Sequence, residues 1–479
     1  MVLEPLRKFY HGAPDPVVRA FAERPFPRSV EPLLRWAYPV WAGSSYRATL
    51  SLLESARDWS TDQVAAYQLD AVRKVLAQAS AQTGTFRELV RHAGLEPDKL
   101  GSVAELAQLP LMGKPELRAV AREVMQTPPA DRTRLQRTGG TTSSPDEFLE
   151  PHEAWGFEKA FFSRWYRENG FSLGDRMVSV TGTFGQRAVA YNPLANELNI
   201  YVHEFDDAVG DDLLAWIVRF DPCMIRGYPS LLYLLAAHIL KRGGSLRLPR
   251  LTAVFLASEQ LLPHQVAAVR KAFGVRVVSH YGQGERTALI QQCSNGPLFH
   301  VAELYSYVEF LRPDGTPATA DGELATIVGT SFANTVTPLV RYATGDWVEI
   351  AEGDECPDCH RRGRSVRAIE GRTGDFIVTP SGRRWSATVL SFAMTYAHHM
   401  SDVQLVQTSP RSVEVRIVPG EGYTAADGEY FLQELVARVA EADIHFEVAL
   451  VSAIQRPKNM KQRFVVSAVD EASTASSPS

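Results

Sequence analysis

The spacing of apolar and polar residues changes character three times along the chain. Between residues 61 and 95, Val64, Tyr67, Leu69, Val72, Val75 and Leu76 recur at helical intervals. That stripe predicts an amphipathic helix, with Ser60 or Asp62 as its cap. From residue 175 the apolar runs shorten and become β-branched: DRMVSV, CMIRGY, LTAVFLAS and VRVVSHYG. Helical segments such as DDLLAWIVRF and PSLLYLLAAHILKRGG lie between them. Strand–helix alternation predicts right-handed crossovers and a mostly parallel sheet, with ligands at the carboxyl ends of its strands. Over residues 300–350, AELYSYVEF, GELATIVGT and GDWVEIAEG alternate apolar with polar and are parted by turns such as PDGTP, which predicts antiparallel sheet. After about residue 370, VEVRIVP, a helix near 427–441 and VALVSAI predict a small α+β unit.

The predicted fold class is α/β. A large domain of several subdomains spans 1–370, and a small α+β domain spans 371–470. Within the first, residues 1–60 read as an aromatic, proline-containing lead-in packed on the body, and 300–370 as the antiparallel region. The polar tail 471–479, ending in ASTASSPS, predicts disorder. No repeat of solenoid or propeller period is present.

Composition adds exclusions. With 479 residues, 45% hydrophobic, 22% charged and a net charge of -5, the chain reads as a globular enzyme. It is not built to grip nucleic acid or an anionic membrane. Its start lacks a secretory pattern, and no apolar run approaches the ~18 residues of a spanning helix. Four cysteines make no disulfide framework and predict a reducing, cytoplasmic setting.

Candidate chemistry sits in loops. Thr138–Pro145, TGGTTSSP, offers glycine backbone and five hydroxyls to an anion, although such residues also make ordinary surface loops. HYGQGE (280–285) follows a strand and offers a ring and a carboxylate for a base and a metal, or else a packed ring and a solvated charge. RYATGD (341–346) ends in a carboxylate suited to a diol, or to satisfying its own turn. GRTGDF (371–376) opens the last unit, and RPKNMKQRFVV (456–466) is a basic loop.

In order and spacing these stretches resemble the adenylate-forming superfamily of acyl- and aryl-CoA synthetases and peptide-synthetase adenylation domains. TGGTTSSP is similar to its TSGTTGxP loop, Tyr281–Glu285 to YGxxE, Arg341–Asp346 to RYxTGD, and Gly371-Arg372 to the GR that opens its mobile domain. YQLDAVRKVLAQAS, LAQLPLMGKPELR, IRGYPSLL and CPDCHRRGR resemble the phenylacetate–CoA ligase branch. The resemblance implies a barrel-like antiparallel region and a mobile C-terminal domain. It also implies an ATP site in which Thr138, Gly139, Gly140, Thr141, Thr142, Ser143 and Ser144 hold phosphates. Tyr281 and Gly282 would meet adenine with Ala257, Ser258 and Glu259, Glu285 would hold Mg²⁺, and Asp346 the ribose beside Arg372.

Lys461 matches the catalytic lysine of the C-terminal GK motif, though Met460 replaces the glycine and Lys458 is a rival. Gly374 stands where the hinge motif GRxDD has its pivot aspartate. The acyl pocket maps near Phe184, Gly185, Gly227, Tyr228 and His280, with Arg187 a further polar candidate. Cys356-x-x-Cys359 with upstream Cys293 and His300 suits a closed tetrahedral Zn²⁺ site, with His360 as the alternative histidine. Cys223 reads as core.

The expected activity is ATP-dependent, AMP-forming activation of a small, aromatic carboxylic acid, with coenzyme A as acceptor. An amine or a carrier-protein thiol is the alternative acceptor, and an inactive nucleotide-binding homologue is the third reading. Some members of the branch form homodimers; no feature of this sequence demands one.

Overall fold

The structure, a computed structural model, describes residues 25–126, 133–137, 146–182, 189–202, 205–372, 376–381, 383–387, 390, 393–394, 397–439, 443–455 and 463–469. A hairpin of β1 (Thr133–Arg137) and β2 (Glu147–Pro151) precedes the main sheet. The parallel strands are β3 (Met177–Gly182), β5 (Glu197–Val202), β6 (Met224–Gly227), β7 (Ala253–Leu256) and β8 (Arg276–Gly282). β4 (Val189–Asn192) lies antiparallel at their edge.

β8 pairs antiparallel with β9 (Leu289–Gln292), which leads into β10 (Phe299–Val301), β11 (Ser306–Leu311), β12 (Leu324–Ser331), β13 (Tyr342–Ala351) and β14 (Ser365–Arg372). The two textures read from the sequence therefore join in one 12-stranded sheet, and β8 is the seam.

The parallel strands are buried on both faces, which is why they read as near-continuous apolar runs. Val178, Val180, Ile225, Val254 and Leu256 pack on the helices Asp207–Phe220, Pro229–Lys241 and Pro263–Phe273. Met177, Met224, Ala253, Phe255 and Val278 face the other way, toward Phe161, Trp165 and Tyr166 of the helix Glu153–Glu168. Cys223, just ahead of β6, is half-buried against this second cluster.

The helix expected over 61–95 is two helices, Thr61–Gln82 and Gly84–His92. Thr83 is extended between them; its hydroxyl donates to Ala79 O and accepts from Phe86 N–H, ending one helix and capping the next. Ser60 and Gln63 form a reciprocal capping box. Within the lead-in, Glu31–Ser55 is a long helix bent at Gly43 (φ 93°), and its Tyr38, Ala42, Tyr46 and Leu53 are buried. It lies close to Glu153–Glu168: a Cβ on Gly156 would stand 3.1 Å from Ala42 O. Pro39 and Gly43 masked this helix at the level of sequence.

The C-terminal unit holds a hairpin, β15 (Phe376–Val378) with β16 (Arg384–Ser386), and a four-stranded sheet. That sheet comprises β17 (Met400–Ser409), β18 (Ser412–Pro419), β19 (His445–Leu450) and β20 (Val465–Ser467). The helix Ala425–Val439 covers it with Phe431 and Leu435. Leu262 of the large part is buried in the same cluster. No helix among the described residues is long and apolar enough to cross a membrane.

Two half-buried histidines give the fold a pH dependence. Burial holds His264 down to about 4, and burial, with Arg226 and Lys159, holds His280 down to about 3. Unfolded imidazole titrates near ~6.5, so the unfolded chain binds the extra protons first as pH falls. Their contribution is complete above that value and is lost toward the folded values, by about 2 kcal/mol each at pH 5. Denaturant melts at pH 7.5 and 5 are expected to differ accordingly, and His264→Phe to reduce the difference.

Candidate active site and candidate metal centre

At its carboxyl end β8 sends consecutive side chains to opposite faces. His280 turns toward the helix Glu153–Glu168, its ring 4.8 Å from Phe162 and 5.4 Å from Trp165. Tyr281 turns toward the antiparallel half and donates its hydroxyl to Asp346 Oδ2 at 2.7 Å. Asp346 sits opposite Arg372 in the β13–β14 register, and Arg372 Nε lies 3.4 Å from Oδ1. Thr344 Oγ1 accepts the Asp346 N–H at 3.1 Å, fixing the turn that presents the carboxylate. Burial and the nearby Asp346 charge push the Tyr281 phenol well above its usual range.

Glu285 follows in the loop and is buried at 8% relative exposure, accepting from Tyr342 Oη at 3.3 Å. Burial raises its carboxyl above the usual range, with Asp346 adding to the effect. A buried carboxylate of this kind is short of positive charge, and a bound cation would supply it. Tyr342 lies inside the RYATGD stretch yet was not anticipated as a partner. Arg341, from the same stretch, is structural: it forks onto Glu309 at 3.1 and 2.9 Å and donates to Leu109 O.

The loop after β8 is held from behind. Arg286 (φ 53°) is buried between Glu150 of β2 and Glu158, to which Tyr305 also donates at 2.9 Å. Gln136 of β1 reaches Gly284, where a Cβ would stand 3.3 Å from its Nε2. The flanks of TGGTTSSP thus lie against the Glu285 loop, with Arg137 paired to Glu147 across the hairpin.

Thr138, Gly139, Gly140, Thr141, Thr142, Ser143 and Ser144 themselves lie outside the described residues, as do Phe184, Gly185, Arg187, Gly374, Lys458, Lys461 and the tail from 470.

Other anticipated residues have packing roles in the fold. Glu259 accepts from Ser230 N–H and Oγ–H, both at 2.9 Å, capping the helix Pro229–Lys241. Ser258 beside it has φ 74°, and Ala257 precedes it at the end of β7. Gly227 lets β3 approach, since a Cβ would meet Val180 O at 2.4 Å. Tyr228 is buried in the core, with its phenol raised to about 12 by burial and Glu259. Gly282 has ordinary room, its nearest neighbour being Leu289 at 3.6 Å from an added Cβ.

Away from this site, Cys293, His300, Cys356 and Cys359 bring four donor atoms within 4.8 Å of one another. Cys356 Sγ is 3.9 Å from Cys293 Sγ, and Cys359 Sγ is 3.3 Å from His300 Nε2. Tetrahedral zinc at ordinary bond lengths needs about 3.8 Å between sulfurs and about 3.6 Å from sulfur to nitrogen, so the set fits. Ser365 Oγ lies 3.1 Å from His300 Nδ1, turning Nε2 toward the sulfurs. Burial, with Arg361 and Arg164, holds His300 down to about 4, in the neutral state a metal needs. His360, the alternative, is exposed and paired with Glu355 at 3.1 Å.

The chain is similar to known proteins over most of its length. The chain is 25% identical over 340 residues to a phenylacetate–coenzyme A ligase of Pseudomonas putida, covering 69% of this chain and 75% of that one. It is 24% identical over 398 residues to protein CapK of Staphylococcus aureus, covering 80% and 84%. The chain belongs to the adenylate-forming superfamily. Within it the phenylacetate–CoA ligase-like branch is its place. A crystal structure of 2-hydroxyisobutyryl-CoA ligase in the postadenylation state shares this adenylate-forming fold, with TM-score 0.67 at 19% identity over 85% of this chain and 90% of that one. Residues 377–468 match the family described as the CapK C-terminal domain. The expected α/β architecture, with its large mixed-sheet part and small mobile C-terminal part, holds.

Proposed function

We propose that this adenylate-forming chain is an ATP-dependent, AMP-forming ligase that activates a small aromatic carboxylic acid and passes its acyl group to coenzyme A. The observation carrying this reading is the Tyr281–Asp346–Arg372 group beside buried Glu285, where the two halves of the sheet meet. Asp346 would accept the ribose hydroxyls, with Tyr281 and Arg372 holding its carboxylate in place. Tyr281 would also lie against adenine, alongside Ala257, Ser258 and Gly282.

A carboxylate is a poor electrophile until its oxygen attacks the α-phosphorus of ATP and pyrophosphate leaves, giving the acyl-adenylate. Catalysis of that step is mostly positioning and charge stabilisation. Thr141 and Thr142 would hold the departing phosphates, and Lys461 would supply the cation. Glu285, steadied by Tyr342, would hold Mg²⁺, which neutralises phosphate charge when bound. The thiol of coenzyme A then attacks the acyl carbon and AMP departs. Cys293, His300, Cys356 and Cys359 would hold a structural zinc.

The second reading keeps the adenylate and gives it to an amine or a carrier-protein thiol. It is favoured by Gly374, which stands in place of the aspartate at the pivot position. The test is product analysis by mass spectrometry after incubation with ATP, Mg²⁺ and aryl acids, with and without coenzyme A. The first reading expects an acyl-CoA thioester and acid-dependent AMP. Acid-dependent AMP release that coenzyme A does not stimulate, with no acyl-CoA thioester formed, would favour the second.

A further inference from the structure

Behind Glu285 lies an ion-pair bridge that the proposed chemistry does not use. Glu150 of β2 is buried at 1% relative exposure, and its two oxygens are taken by arginines from different elements. Arg134, its cross-strand neighbour on β1, donates Nε–H to Oε1, and Arg286 donates from a terminal nitrogen to Oε2. Arg286 also reaches Glu158 on the helix Glu153–Glu168 at 3.2 Å, while Tyr305 donates to the other Glu158 oxygen at 2.9 Å. Thr138–Pro145 connects β1 to β2. Glu150 thus ties the base of that hairpin to the residue immediately after Glu285.

Arg286 is held where an arginine is uncommon. Its φ of 53° lies in the left-handed region, which a long side chain seldom adopts and which persists only where the surroundings impose it. Its N–H donates to Gln283 O at 3.1 Å, closing the turn between β8 and β9. Across one peptide the side chains part: Glu285 meets Tyr342 of β13, and Arg286 meets β2 and the helix. Any rotation of the Arg286 backbone therefore swings the Glu285 carboxylate. Stability alone is a weak reason for the arrangement, because well-packed apolar residues often do as well as a buried ion pair. Fixing one register among several is the better-attested use of such pairs.

We propose that Glu150 and Arg286 are positioning residues, a bridge that keeps the cation-holding carboxylate of Glu285 in register with the hairpin carrying the phosphate-holding loop. This rests on the adenylating reading above and adds how the metal end and the phosphate end of that site are kept in fixed relation. Arg286 acts through Glu285, and Arg134 completes the bridge at its hairpin end. Neither arginine takes part in the attack on phosphorus.

The test titrates Mn²⁺, as a probe for Mg²⁺, into wild type and Arg286→Lys with α,β-methylene-ATP present. Water-proton relaxation enhancement separates protein-bound from nucleotide-bound Mn²⁺. Arg286→Lys keeps the charge but cannot fork onto Glu150 and Glu158. Its Mn²⁺ dissociation constant is expected to rise about tenfold or more. In a Glu285→Gln background, where no carboxylate remains to be positioned, the same substitution should change it no more than about twofold. Circular dichroism checks each fold, and Arg134→Gln, at the more exposed end of the bridge, carries the test if Arg286→Lys fails to fold. Affinity within about twofold of wild type in the folded variants, or an equal loss with Glu285 already replaced, overturns this inference and leaves the adenylating reading intact. Mn²⁺ binding unaffected by Glu285→Gln alone removes Glu285 from the metal role, and this inference falls with it. Absence of acid-dependent AMP release from wild type, assayed in parallel, overturns the adenylating reading as well.

Discussion

Glu285→Gln lowers acid-dependent pyrophosphate release by about 10²–10³-fold, the range found when one transition-state stabilising group is removed. The amide has the shape of the carboxylate, and its oxygen still accepts from Tyr342, now 3.3 Å from Glu285 Oε1. What it loses is the negative charge. The wild-type carboxyl is kept in a buried position that raises its proton affinity, an arrangement with no packing benefit of its own. Filling the site with a neutral amide should therefore leave stability equal or slightly higher while activity falls. A stopped pyrophosphate assay over a range of Mg²⁺, with thermal melts in parallel, checks both halves. Activity within about threefold of wild type at every Mg²⁺ concentration would remove Glu285 from the metal-holding role.

Cys356→Ser has the largest expected effect on stability. Wild-type protein is expected to contain one equivalent of zinc, and the variant to lose it, with destabilisation of about 4 kcal/mol or more. The cause is geometric. Cys356 and Cys293 are buried at 1% relative exposure, and the four-donor set joins the β9–β10 turn to the segment before β14. Without the ion, two thiols and an imidazole remain packed together with no metal to join them, and burial pushes the Cys359 thiol up to about 12. Elemental analysis of both proteins, and a melt of wild type with chelator, read the outcome. Metal-free wild type that is as stable as the chelated sample would remove the zinc proposal.

Much of this architecture was legible in periodicity. β3, β6, β7 and β8 fall on the β-branched runs, and the helices Asp207–Phe220 and Pro229–Lys241 on the segments between them, because a strand buried on both faces needs uniform apolar sequence. The break at Thr83 was not legible, since one residue leaving helical geometry does not disturb an apolar stripe. Glu31–Ser55 was hidden by Pro39 and Gly43, which read as breakers but only bend the helix.

The site divides in a similar way. Tyr281, Glu285, Asp346 and Arg372 are separated by up to 91 positions, and motif order alone grouped them; geometry then added Tyr342. Cysteine spacing named four donors, but only the fold chose between His300 and His360, through the Ser365 hydroxyl. Glu259 is a motif residue whose carboxylate is engaged at a helix start.

Acid-dependent ATP–pyrophosphate exchange, run without coenzyme A on a panel of aryl and aliphatic acids, tests the central claim most directly. Reversible adenylate formation predicts that labelled pyrophosphate enters ATP only when an acceptable acid is present, and that Glu285→Gln abolishes the signal. Tight ATP binding with no exchange for any acid would contradict the account.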